Sequence, residues 1–98
     1  MKTASIKLWA GGQEEVKVSA SIGPFFIWKE TMDNGQKWYV ITVRSSGLAV
    51  KSSMKTLREA KAIAEQLDIL TTERNLDWTS KDTYPLRKAL DYVIRNLT

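Results

Sequence analysis

The sequence predicts an α+β domain: an antiparallel sheet of about five strands, a meander, followed by two C-terminal helices packed on one of its faces. Three observations carry that expectation. Up to Ser53 the apolar residues alternate between turns built from Gly, Pro and Asn, the period of half-buried strands. From Thr56 onward they recur at spacings of three and four, the period of amphipathic helices. The chain is 98 residues long, enough for one core and too short for two, so residues 1–98 form a single domain.

Each strand has its own signal. Ile6 and Leu8 alternate with Lys7 and Trp9, Gly11-Gly12 turns the chain, and Val16, Val18 and Ala20 alternate with Lys17 and Ser19, which makes a hairpin of the first two strands. Ile22-Gly23-Pro24 ends the second, because proline has no amide hydrogen for a ladder. The third strand runs from Phe25 to Thr31. Asp33-Asn34-Gly35-Gln36 is the strongest turn signal, with Asn34-Gly35 read as a two-residue type I′ turn whose positive φ angles both residues tolerate. Lys37 to Ser45 is the fourth strand, Ser46-Gly47 a turn, and Leu48 to Ser53 the fifth strand.

The second half is helical. Thr56 with Glu59 three residues on matches a capping box, in which hydroxyl and carboxylate satisfy free amides at a helix start. Leu57, Ala60, Ile63, Ala64 and Leu67 define one apolar stripe. Residues 71–83 are polar and acidic and read as a loop. Within it Trp78 either folds back to cap the core between the helices or serves as a partner-binding anchor. Pro85 stands where a first helical turn tolerates proline, and Leu86, Ala89, Leu90, Val93, Ile94 and Leu97 complete a second amphipathic helix.

Composition removes most enzyme chemistry. The chain has no histidine and no cysteine, which excludes a Ser-His-Asp triad, a thiolate nucleophile, a disulfide framework and a Cys/His zinc site. The carboxylates form no substitute. Glu15-Val16-Lys17 lacks the upstream acid of a metal-dependent nuclease, Glu59-Ala60-Lys61 diverges on a helix, and Glu73, Asp77 and Asp82 match no calcium loop. Gly11-Gly12 is followed by no phosphate-loop lysine. The expectation is a non-enzymatic protein with no cofactor and no metal. No apolar region follows Lys2, and apolar runs such as Trp38 to Ile41 are far short of the roughly 18 residues of a membrane span, so a cytoplasmic, non-membrane protein is expected.

What remains is charge. The net charge of +4 is uneven: residues 1–58 hold nine Lys and Arg against four acids, and residues 59–98 hold six against seven. From Asn34 to Arg58, Lys37, Arg44, Lys51, Lys55 and Arg58 occur with no acid at all. A two-residue turn at Asn34-Gly35 sets Glu30 opposite Tyr39, Trp28 opposite Ile41 and Phe26 opposite Val43. With Leu48 and Val50 these make the predicted core face. The other face then holds Phe25, Ile27, Lys29, Trp38, Val40, Thr42, Arg44, Ala49 and Lys51, aromatic and basic together. Aromatic rings that stack on bases, with Lys and Arg near the phosphates, bind single-stranded nucleic acid on a sheet. Phe25, Trp38 and Trp9 are the stacking candidates, and Lys29, Arg44, Lys51, Lys55 and Arg58 the phosphate candidates. The competing reading covers this face with the N-terminal hairpin or with a second copy of the chain.

The stretch Phe25 to Leu70 resembles a known arrangement through the strand Lys37-Trp38-Tyr39-Val40, a second strand ending near Lys51 and the helix start Thr56-Leu57-Arg58-Glu59-Ala60. It is similar to the three-strand-plus-helix modules of AP2-like domains and of the arm-type DNA-binding domains at the N-terminus of phage and mobile-element integrases. That resemblance implies docking on duplex DNA through the outward residues Lys29, Trp38, Thr42, Arg44 and Lys51. It covers under half of the chain, and the N-terminal hairpin and C-terminal helix lie outside it. The expected partners are therefore nucleic acid, single- or double-stranded, or, for a phage or mobile-element accessory protein, a host protein; a homodimer is compatible with either.

Overall fold

Among the described residues the elements run β1 (Thr3–Lys7), β2 (Gln13–Ile22), β3 (Phe25–Thr31), β4 (Lys37–Val43), β5 (Ala49–Met54), α1 (Leu57–Arg74) and α2 (Tyr84–Leu97). They come from a computed structural model that describes residues 2–7 and 11–97, so Leu8 and Trp9 lie outside the described residues. The strands form one antiparallel sheet in chain order, the predicted meander.

The turn between β3 and β4 is not the predicted two-residue one. Gly35 N–H donates to Met32 O at 2.9 Å and Met32 N–H to Gln36 O at 2.7 Å, which closes a three-residue loop, Asp33-Asn34-Gly35. Gly35 alone carries the left-handed conformation there, with φ 85, and the Asn34 side chain accepts from Gln36 N–H instead of turning the backbone left-handed. This is the type I turn followed by a glycine bulge that hairpins use next most often. One extra loop residue shifts the register by one. Phe25 lies opposite Val43, Ile27 opposite Ile41, Lys29 opposite Tyr39 and Glu30 opposite Trp38.

Because strand side chains alternate with period two, that shift exchanges the faces of β3. Phe25 and Ile27, not Phe26 and Trp28, join Ile41 and Val43 on the helix side. There they pack with Met54, with Ala60, Ile63, Ala64, Leu67 and Leu70 of α1, and with Ala89 and Val93 of α2. The prediction for β4 and for Val50 stands, but Leu48 remains 54% exposed.

The opposite face is buried as well. Phe26, Val40 and Thr42 are almost inaccessible although they lie outside the helix-packed cluster. Their cover is the N-terminal hairpin. β2 changes register between Val18 and Ala20, and β1 reaches across to the β4–β5 turn, where Lys7 N–H donates to Gly47 O at 2.9 Å. Ser5 O and Lys7 N lie 3.2 Å from where a Cβ on Gly47 would stand. Ile6 is buried in consequence and lines one concavity together with Val16, Val18 and Trp28.

The Thr56 hydroxyl accepts from Glu59 N–H at 3.1 Å, so the predicted N-cap of α1 is present. The helix outruns its stripe, however, and takes in Thr71 to Arg74, which the polarity of residues 71–83 assigns to a loop. Leu70 is buried and anchors this last turn, and Asn75 ends it with φ 52, its N–H bonded to Thr71 O. Trp78 then folds back: its ring meets Phe25 edge-on at 4.9 Å and its Nε1 donates to Thr71 Oγ1 at 2.8 Å.

Candidate functional site

The register decides which predicted site residues meet. Phe25 is 0% exposed in the helix-side core, so it cannot stack on a base, and this corrects its place among the candidates. Thr42 is also removed, since it is buried and accepts from Trp28 Nε1 at 3.0 Å. Arg44 is exposed but occupied. It donates from Nη2 to Ser21 Oγ at 2.7 Å, lies over the Phe26 ring at 5.7 Å, and its backbone N–H donates to Pro24 O. These contacts tie the end of β4 to the β2–β3 turn, at the opposite end of the sheet from the β3–β4 hairpin loop. Trp9 lies outside the described residues.

The remaining candidates gather at the hairpin-loop end. Lys29 pairs across to Tyr39, and Tyr39 pairs on its other side with Met54, which makes one lateral row. Trp38 precedes Tyr39 and Lys55 follows Met54, so both stand just beyond that row. α1 starts at Leu57 and brings Arg58 to the same end. Lys29, Lys55 and Arg58 are exposed and Trp38 is half-buried. Lys37, outside the predicted set, belongs here too: it opens β4 opposite Thr31 and is exposed. Its signal was available, since it starts the acid-free segment next to the hairpin turn.

Lys51 is displaced from its predicted face. Irregularities between the Tyr39–Met54, Ile41–Lys51 and Thr42–Ala49 pairs bring it opposite Ile41, and it shares a groove of about 440 Å³ with Arg58, Glu59 and residues of both helices. A sheet-face site built from all eight predicted residues is therefore not what the chain forms. Four of them, Lys29, Trp38, Lys55 and Arg58, lie toward one end, with Glu30 paired to Trp38 as the nearest carboxylate by register.

The acids of the loop before α2 are used locally. Asp77 accepts from Thr79 N–H and Oγ1–H, and Asp82 accepts from Tyr84 N–H at 3.2 Å at the start of α2. Among the described residues no three carboxylates group as a metal ion's ligands would, and no helix is long and apolar enough to cross a membrane. No protein-family model matches the chain, and no curated protein and no solved structure matches it.

Proposed function

We propose that the protein is a non-catalytic nucleic-acid-binding module that grips a phosphate backbone at the end of its sheet that carries Lys29, Lys37, Trp38, Lys55 and Arg58. The observation that carries this reading is the register, which gathers cations from β3, β4 and the β5–α1 junction at one end of the sheet, Lys29 and Lys37 on the helix-side face and the half-exposed Trp38 indole on the other. Cations on several elements suit a chain of phosphates, and an indole offers a stacking surface to any base. The resemblance to AP2-like and arm-type integrase domains enters through the order β3, β4, β5, α1. The contact differs from theirs: the N-terminal hairpin covers the sheet face those domains turn toward DNA, so contact falls on the sheet end. A cytoplasmic location is part of the same proposal.

The test is fluorescence anisotropy with single- and double-stranded oligonucleotides over a salt series. Trp38→Ala is expected to weaken binding by about 1–3 kcal/mol for one lost stack. Lys55→Ala with Arg58→Ala is expected to lower the salt slope by about one per phosphate contact removed. Glu30→Gln, which removes the carboxylate paired with Trp38, is expected to tighten binding. Arg44→Ala is expected to leave it unchanged, because that guanidinium is engaged with Ser21. Binding absent at low salt, or indifferent to Trp38 and Arg58, overturns the reading.

A second reading, an accessory protein that binds a host protein, is favoured by a separate observation. Exposed Leu48 and half-buried Val50, Trp78 and Leu90 line one hollow beside β5.

A further inference from the structure

β5 closes the sheet, with β4 on one side and, among the described residues, no strand on the other. α2 lies alongside it and carries two apolar rows. Leu86, Ala89 and Val93 are buried. Leu90, Ile94 and Leu97 form the second row, which borders β5. Leu90 lines a hollow of about 350 Å³ with Leu48, Val50 and Trp78, and Ile94 and Leu97 line the groove that also holds Lys51 and Arg58. Residue order is the same along both walls, from Leu48 to Lys51 on the strand side and from Leu90 to Leu97 on the helix. The two hollows therefore lie end to end in one trough beside an open strand edge.

Such an edge presents unpaired backbone groups to an incoming strand, and natural sheets usually block it. β5 carries two such devices, its register irregularities against β4 and Lys51, yet the flanking apolar side chains stay accessible, with Leu48 54% and Leu97 45% exposed. The charged residues on the trough's walls are Arg87, Lys51 and Arg58 against one carboxylate, Glu59. That imbalance selects the occupant. Two β5 strands paired antiparallel about Lys51 would set the two Lys51 ammonium groups directly opposite each other and bring both sets of cations together.

We propose that the trough between β5 and α2 receives an extended segment of a partner protein, one that alternates apolar and acidic residues. It adds to β5 as a further strand, its apolar side chains lie against Leu90, Ile94 and Leu97, and its carboxylates meet Lys51 and Arg87. Backbone pairing supplies affinity and the pockets supply specificity, as in other strand-addition complexes. The site shares Arg58 and Lys51 with the residues considered for nucleic acid, and the variants that separate the two readings, at Leu48 and Leu97, touch neither.

The probe is a displayed library of random twelve-residue peptides selected on the full chain, followed by amide NMR with the enriched peptides. Enriched sequences are expected to alternate apolar with Asp or Glu and to shift amides of β5 and α2. Leu48→Glu and Leu97→Glu, at exposed positions that leave the core intact, are each expected to weaken binding by about tenfold or more. Lys51→Glu is expected to shift preference toward Lys-containing peptides. Oligonucleotide binding is expected to survive Leu48→Glu, which separates failure here from failure of the nucleic-acid reading. No enrichment, shifts confined to other elements, or a dimer in sedimentation that Leu48→Glu dissolves would each overturn the proposal, the last by giving the trough to a second copy.

Discussion

Phe25 and Phe26 are neighbours in the chain and end in different cores, one edge-on against Trp78 on the helix side, the other under the N-terminal hairpin. Other single residues are as tightly placed. Gly23 has φ 53, and the Asp68 carboxylate of α1 fills the space that a Cβ would take. Gly23→Ala is expected to cost about 1–3 kcal/mol in urea unfolding. Adding Asp68→Ala should recover the contact part and leave the backbone part; a double variant no more stable than the single one would refute the packing explanation. Asp77 shows a residue tuned by its neighbour. The Thr79 hydroxyl first, and the Thr79 N–H second, donate to its carboxylate and hold its pKa below the ordinary aspartate value. A carboxyl lowered in the folded state adds stability above about pH 4, and that stability is lost as pH falls through the lowered value. Thr79→Val removes the larger cause, so the Asp77 titration followed by NMR should move upward; an unmoved curve would show that the hydroxyl plays no part.

At the scale of elements, strands and helices were legible because each has a local cause. β3 was expected at Phe25–Thr31 and is found there; Thr56 was expected to cap α1 and does. Two features were not legible. The last turn of α1, Thr71 to Arg74, has no apolar residue to mark it, and it persists because Leu70 is buried below it and Trp78 bonds to Thr71. The β3–β4 turn was assigned the shorter of two geometries that its residues allow. The two geometries make different demands: a type I′ turn needs positive φ at both Asn34 and Gly35, whereas the observed loop needs it only at Gly35. Gly35→Ala is therefore expected to cost about 1 kcal/mol, and Asn34→Ala distinctly less, the loss of two exposed bonds, one accepted from Gln36 N–H and one donated to Gln36 Oε1. Equal costs in chemical denaturation would restore the two-residue turn. The consequence reaches the site, since one residue of loop length decides whether Phe25 or Phe26 faces the helices.

In the whole molecule the central strands β3 and β4 are buried on both sides, under the helices on one face and under the chain's own first hairpin on the other. Its second core is small and depends on β1 staying clasped to Gly47. Ile6→Ala is expected to cost about 2–4 kcal/mol and to expose Phe26 and Val40, read as raised dye binding and faster amide exchange in β1 before the helices unfold. Exchange that rises uniformly would mean that the two cores open together. By itself the sequence determined the fold class, the element order, the caps and breaks, and where the cations lie along the chain, because propensity, periodicity and turn chemistry act over a few residues. The tertiary structure decided which face of β3 meets the helices, that the N-terminal hairpin covers the other face, and which cations stand together. Phe25-Phe26-Ile27-Trp28 is apolar at every position, so alternation cannot assign its faces, and an uninterrupted run of that kind is what burial on both sides requires. Parity was left to the loop length and to the packing of distant segments, and the candidate interface followed from them: a sheet end, where the charge pattern alone had pointed to a sheet face.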